Sequence, residues 1–67
     1  MTIRETREAI VIKGIPLSRS KLSRKIDMPE ATLIQWESNN NIPDPDKRRE
    51  WEKAIEHFRK LADGNSK

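Results

Sequence analysis

Residues 17–43, LSRSKLSRKIDMPEATLIQWESNNNIP, contain two short helix patterns in direct succession. Ser18 is suited to the N-cap of the first helix, which we expect to end at Ile26. The second helix is expected to start at Pro29, because a proline in the first turn of a helix loses no hydrogen bond. Two short helices joined by a tight turn are typical of a helix-turn-helix.

The second of these helices, expected over residues 29–38, carries its bulky apolar side chains on one side. Leu33 and Trp36 lie one turn apart and should face the core. At about 100° per residue, the opposite side is then formed by mostly small or uncharged side chains. These are Ala31, Ile34, Gln35 and Ser38, with Glu30 and Thr32 at the margins.

The stretch resembles the Cro and phage-repressor type of helix-turn-helix DNA-binding proteins, the XRE-like family. The resemblance runs without a gap over 27 of the 67 residues. The matching positions are Leu17, Ser18, Leu22, Ser23, Ile26, Met28, Leu33, Trp36, Glu37, Asn39 and Pro43. The resemblance implies an all-α, lambda-repressor-like fold: a compact bundle of four helices containing a helix-turn-helix, whose helix 29–38 reads the DNA major groove.

The chain departs from the family pattern in three ways. Asp27 stands where the family usually has a glycine, although aspartate tolerates the left-handed conformation. Ile12 replaces the arginine that usually pairs with the glutamate matched by Glu37, so Glu37 is expected to pair with Arg7, to accept from a backbone amide, or to be exposed. One long final helix replaces the family's shorter fourth and fifth helices.

The N-terminal segment is ambiguous between helix and strand. Thr2 and Glu5 fit a capping box at the start of a helix that would reach Lys13. The β-branched residues at 10–12 also favour a short strand, and Gly14 ends either element.

The C-terminal part should form one amphipathic helix. We expect Asn39 to take the left-handed C-cap position and the prolines at 43 and 45 to exclude helix until about Asp46. A stripe at steps of three and four then predicts a helix over 47–61, with Trp51, Ile55, Phe58 and Leu61 or Ala62 facing inward. Residues 1–62 are expected to form a single domain and residues 63–67 a flexible tail.

The composition argues against most catalytic functions. The chain has no cysteine, one histidine and no glycine-rich phosphate loop, so we expect no enzyme activity, no metal site and no cofactor. No run approaches the roughly 20 apolar residues of a membrane span, and we expect a cytoplasmic protein without membrane contact. The net charge of +3 is unevenly spread, because residues 17–26 carry four cations and residues 27–46 carry five anions.

The candidate DNA contacts fall into two groups. Gln35 can pair with adenine, and Ala31 and Ile34 can contact thymine methyl groups. The predicted base contacts are Glu30, Ala31, Thr32, Ile34, Gln35 and Ser38. The predicted phosphate contacts are Ser18, Arg19, Lys21, Asn39, Asn40, Asn41, Lys47 and Arg48.

These residues predict a sequence-specific double-stranded DNA-binding transcriptional regulator, a bacterial or phage repressor that binds its operator as a homodimer. The alternative is a protein-interaction module on a helix-turn-helix scaffold, antirepressor-like or antitoxin-like, whose partner would be a regulatory protein. The acidic segment 27–46 and the apolar Ile34 favour that alternative. A winged helix is less favoured, because residues 39–50 lack the glycine and aromatic residues of a wing hairpin.

Overall fold

The computed structural model describes residues 1–65 and contains four helices and a two-stranded antiparallel sheet. The helices are α1 (Ile3–Glu8), α2 (Arg19–Lys25), α3 (Glu30–Asn39) and α4 (Pro45–Asn65). The strands β1 (Val11–Ile12) and β2 (Ile15–Pro16) lie between α1 and α2. The protein is therefore mostly helical but not all-α, and the expectation of a purely helical bundle is wrong.

The N-terminal helix is shorter than expected because the β-branched residues after it form a strand. The capping box is present: the Thr2 hydroxyl accepts from the Glu5 amide and the Glu5 carboxylate accepts from the Thr2 amide, both at 3.0 Å. The helix then ends at Glu8 instead of Lys13. Of the two readings of this segment, the short strand is correct.

The two strands form a hairpin with a two-residue turn. Ile12 pairs with Ile15, so Lys13 and Gly14 form the turn, with φ values of 54° and 78°. Positive φ at both central residues is the geometry of a type I′ turn, whose twist matches that of the flanking strands. The hairpin thereby returns the chain to the end of α1 before α2 begins.

Helices α2 and α3 are each followed by a residue with left-handed backbone. Asp27 has a φ of 55°, as the comparison with the family's glycine suggested, and the next amide, of Met28, donates to the Ser23 carbonyl at 3.0 Å. At the end of α3 the left-handed residue is Asn40, with a φ of 51°, and not Asn39. Both ends have the hydrogen-bond pattern of a Schellman motif.

The side chain of Asn40 also connects the end of α3 to the start of α1. The Asn40 side-chain oxygen accepts the Ile3 backbone N–H at 3.0 Å, and this N–H belongs to the first turn of α1.

The expected bounds of α3 and α4 also need correction. Pro29 is the N-cap of α3 and not its first residue. Pro45 begins α4, because proline is accommodated at the first position of a helix, so the prediction that it excludes helix is wrong. Helix α4 continues beyond Leu61 to Asn65, while residues 66 and 67 of the expected tail lie outside the described residues.

One hydrophobic core joins α2, α3, α4 and the segments between them. Its buried side chains are Ile10, Leu17, Leu22, Ile26, Leu33, Trp36, Ile42, Ala54, Ile55 and Phe58. Helix α3 packs against α2 and α1, and α4 packs against α2 and β1. On α4 the predicted stripe is confirmed: Ile55 and Phe58 are buried, and Trp51 and Ala62 pack against the core, whereas Leu61 is exposed.

Candidate nucleic-acid interface

The two sides of α3 differ sharply in exposure. Leu33 is 1% exposed and Trp36 is 6% exposed, which confirms that they face the core. Ile34, between them in sequence, is 45% exposed, and Gln35 is exposed as well. Of the remaining predicted base contacts, Glu30, Ala31 and Ser38 are also exposed, and Thr32 is half-buried. We call this set of six side chains the outer face of α3.

A buried ion pair fixes α3 to α1. The Arg7 Nε atom donates to Glu37 Oε2 at 2.7 Å, and Arg7 Nη2 donates to Glu37 Oε1 at 3.2 Å. The side chains are only 8% and 6% exposed. Of the three environments expected for Glu37, the pairing with Arg7 is therefore correct.

Arg7 also reaches the chain just before α2. Its Nη1 atom donates to the Leu17 carbonyl at 2.7 Å, and Leu17 itself is buried. One guanidinium thus connects α1, the start of α2 and the last turns of α3. Removal of one partner from a buried pair costs about 3–5 kcal/mol, because the other charge is left uncompensated.

Arg19, a predicted phosphate contact, lies beside the same carboxylate. Its Nη1 atom is 3.5 Å from Glu37 Oε1, and its side chain is 38% exposed. The contact places the first residue of α2 next to α3 while part of the guanidinium remains open to solvent. Sequence reasoning treated Arg19 and Glu37 separately and assigned Arg7 no functional role.

The start of α2 has the predicted cap. The Ser18 hydroxyl accepts the Lys21 backbone N–H at 3.2 Å, which confirms Ser18 as the N-cap. The Lys21 side chain is exposed. Ser18, Arg19 and Lys21 therefore lie together on one turn of the chain, while their contacts with phosphate stay predictions.

The three asparagines after α3 are not equivalent. Asn39, the last residue of α3, is exposed, whereas the side-chain oxygen of Asn40 accepts the Ile3 backbone N–H. Only the amino group of the Asn40 side chain is left for a phosphate. Asn41 lines a groove together with Arg48, between the start of α1 and the start of α4.

The two predicted cations on α4 are paired along the helix surface. Lys47 lies 3.4 Å from Glu50, and Arg48 lies 3.8 Å from Glu52. Such solvent-exposed pairs contribute roughly 0–1 kcal/mol and exchange easily for another partner. Both cations are therefore accessible to an anion, on the side of the molecule where the loop after α3 runs.

The acidic segment 27–46 has a structural explanation. Glu37 is neutralised inside the domain by Arg7. Asp44 precedes α4 and its carboxylate accepts the Asp46 backbone N–H at 2.9 Å, so both acidic residues lie at the positive end of the helix dipole. Glu30 alone among the five acidic residues lies on the outer face of α3. The segment therefore does not make that face strongly negative.

No group of three or more histidine, cysteine, aspartate or glutamate side chains within residues 1–65 is arranged to hold a metal ion. In the same part of the chain, no helix is long and apolar enough to cross a membrane.

No protein-family model matches the chain, and no curated protein or solved structure is significantly similar to it. Its function must therefore be inferred from the arrangement of its own residues.

Proposed function

We propose that the protein is a sequence-specific regulator of transcription that binds double-stranded DNA. Helices α2 and α3 would act as a helix-turn-helix, with α3 in the major groove. The observation that carries this proposal is the outer face of α3, which is exposed and nearly uncharged while Leu33 and Trp36 hold the opposite side in the core. A helix in the major groove needs such a face to approach the base edges closely.

The outer face has side chains that suit A·T base pairs. Gln35 can form two hydrogen bonds with the N6 and N7 atoms of adenine. Ala31 and Ile34 can contact thymine methyl groups, and the face has no arginine, the side chain that most often reads guanine. Glu30, Thr32 and Ser38 supply the polar groups at the edges of this face.

The affinity would come mainly from the DNA backbone, because the outer face of α3 carries no cation. The start of α2 supplies Ser18, Arg19 and Lys21, and Arg19 lies beside Glu37 of α3. The loop after α3 and the start of α4 supply Asn39, Asn41, Lys47 and Arg48, with the amino group of Asn40 as a further donor. Phosphate contacts from both groups would fix the orientation of α3 in the groove.

The regulator would act as a homodimer that occupies an operator in the cytoplasm of a bacterium or in a phage-infected cell. Two copies related by a two-fold axis place their reading helices about 34 Å apart, one turn of DNA. A single copy with six candidate base contacts would discriminate poorly among sites. Exposed apolar side chains outside α3 that could form the dimer contact include Ile15 and Leu61.

A protein-binding module is the second candidate. Ile34 lies in the middle of the outer face with 45% of its surface exposed, and an apolar side chain in that position suits a protein partner as well as a thymine methyl group. On this alternative the same face would contact another regulator, as an antirepressor or antitoxin does.

Binding to random-sequence duplex DNA separates the two candidates. We expect fluorescence anisotropy to show binding at about 50 mM salt that weakens steeply towards about 200 mM. Arg19→Ala should weaken binding to all sequences about equally. It should also make the negative slope of log K against log salt shallower by about 0.9. Lys60→Ala, an exposed cation on α4, is the control and should change little. Absence of binding at the lower salt concentration would favour the protein partner.

A further inference from the structure

The carboxylate of Glu37 contacts two arginines that differ in burial. Arg7, with its side chain 8% exposed, makes two short hydrogen bonds to the carboxylate. Arg19, with its side chain 38% exposed, is held by one longer contact of 3.5 Å to Oε1. The Glu37 side chain is only 6% exposed, so its carboxylate is closed to ions from the solvent.

The charges of this cluster leave one unit of positive charge at the surface. Arg7 and Glu37 neutralise each other inside the domain. Glu8, whose carboxylate is 3.8 Å from Arg7 Nη2, is paired with Arg4 at the surface, so Arg19 is the remaining cation. Because Arg19 makes only one contact with the carboxylate, most of its five N–H donors stay free. The cluster is therefore a single guanidinium that is anchored on one side and open on the other.

We propose that Glu37 is a positioning residue for DNA, which fixes Arg19 in the orientation that a backbone phosphate requires. The inference rests on the proposed DNA binding and extends it to a residue that does not touch the DNA. A free arginine loses rotamer entropy when it binds a phosphate, whereas an arginine already held by Glu37 loses less. Arg7 supports this arrangement by fixing the carboxylate itself.

Charge alone predicts the opposite effect of Glu37. Removal of a negative charge next to a phosphate contact should strengthen DNA binding by simple electrostatics. If Glu37 acts by orienting Arg19, its neutralisation should instead weaken binding. The direction of the change therefore distinguishes the two physical effects.

The test is a double-mutant cycle of Glu37→Gln and Arg19→Gln, measured on random-sequence duplex DNA. Near-UV circular dichroism and tryptophan fluorescence would establish a temperature at which all four proteins are folded. We expect Arg19→Gln to weaken binding at least about tenfold, the size of a charge-assisted hydrogen bond. Glu37→Gln should weaken binding by roughly two- to tenfold in the wild-type background, the cost of ordering one side chain, and change it little in the Arg19→Gln background.

Two results would overturn the inference. One is tighter binding by Glu37→Gln, and the other is an equal loss in both backgrounds, which would indicate a general distortion of α3. If Glu37→Gln does not fold, Arg19→Lys replaces it in the test. The lysine keeps the charge but not the planar fork, so positioning predicts a loss close to that of Arg19→Gln, and wild-type affinity would contradict it.

A measurement without DNA separates the failure of this inference from that of the proposed function. We expect NMR relaxation of the Arg19 Nε–H group to show an ordered side chain in the free wild-type protein and a mobile one in Glu37→Gln. A mobile Arg19 in the free wild type would overturn the positioning role. An ordered Arg19 in a protein that binds no duplex would overturn the proposed function, and the phosphate role with it.

Discussion

Asp27 and Asn40 adopt the same left-handed backbone, but only one of their side chains contributes a hydrogen bond to the fold. The Asn40 oxygen accepts the Ile3 amide, whereas no hydrogen bond of the Asp27 side chain is seen within residues 1–65. This conformation costs a residue other than glycine up to about 1–2 kcal/mol, and it costs aspartate and asparagine less. The two positions should therefore respond differently to the same substitution.

We predict that Asp27→Gly raises the free energy of unfolding by about 0.5–1 kcal/mol, because glycine removes the backbone strain. Asn40→Gly should give no gain or a small loss, since the bond to Ile3, worth about 1 kcal/mol, disappears with the side chain. Urea denaturation followed by tryptophan fluorescence measures both. Equal gains from the two variants would show that the Asn40 side chain contributes nothing.

The capping box makes stability depend on pH. Hydrogen bonds from the Thr2 backbone amide and from the Thr2 hydroxyl lower the pKa of Glu5 below its usual value of 4.5. A carboxyl group whose pKa is lowered by folding stabilises the protein above its unfolded pKa and loses this effect as the pH falls through its folded pKa.

We therefore expect the melting temperatures of wild type and Glu5→Gln to differ at pH 6 to 7 by a small amount and to converge as the pH falls well below about 4. Thermal melts across this range measure the difference. A constant gap between the two proteins at all pH values would contradict the role of the ionised carboxylate.

At the same scale, the residue types alone did not decide which partner Glu37 has in the buried ion pair with Arg7. The missing arginine at Ile12 indicated that Glu37 needs another partner, and Arg7 was among the candidates. Sequence could not decide among them, because residues 7 and 37 meet only through the angle at which α1 packs on α3. The burial that makes the pair important also depends on that packing.

At the scale of elements, the sequence predicted the buried side of α3 correctly, although both ends of that helix needed correction. The spacing of Leu33 and Trp36 specifies which side enters the core, and the exposure of Ile34 agrees with it. The hairpin was harder to predict, because a β-branched run is compatible with either a helix or a strand. The decisive feature is the turn at Lys13 and Gly14, where lysine is an uncommon choice for positive φ.

Substitutions of neighbouring residues on the two sides of α3 should change the free energy of unfolding by very different amounts. Leu33→Ala should lower the free energy of unfolding by about 2–5 kcal/mol, because it leaves a cavity in the core. Ile34→Ala should change it by about 0.5 kcal/mol or less, because the side chain lies on the outer face. Equilibrium unfolding in urea measures both. A large loss of stability from Ile34→Ala would show that the outer face packs against something in the folded protein.

At the scale of the whole molecule, the dimensions are 36 × 20 × 19 Å, and under the proposed function one molecule of this size would make one major-groove contact. Helix α3 has ten residues and is about 15 Å long, which is less than half a turn of DNA along the duplex axis. A long specific site would therefore require two copies. The apolar stripe predicted a single final helix over 47–61, but not its start at Pro45 or its continuation to Asn65, which depend on the local backbone.

The most direct test of the central claim, that the outer face of α3 reads base pairs, is selection of binding sites from a pool of random duplex DNA. For the wild type, we predict enriched half-sites rich in A·T pairs whose centres lie about 10 base pairs apart. Gln35→Ala should lose the preference for adenine at one position and keep the rest of the motif. The absence of any enriched motif, or an identical motif for the two proteins, would contradict the claim.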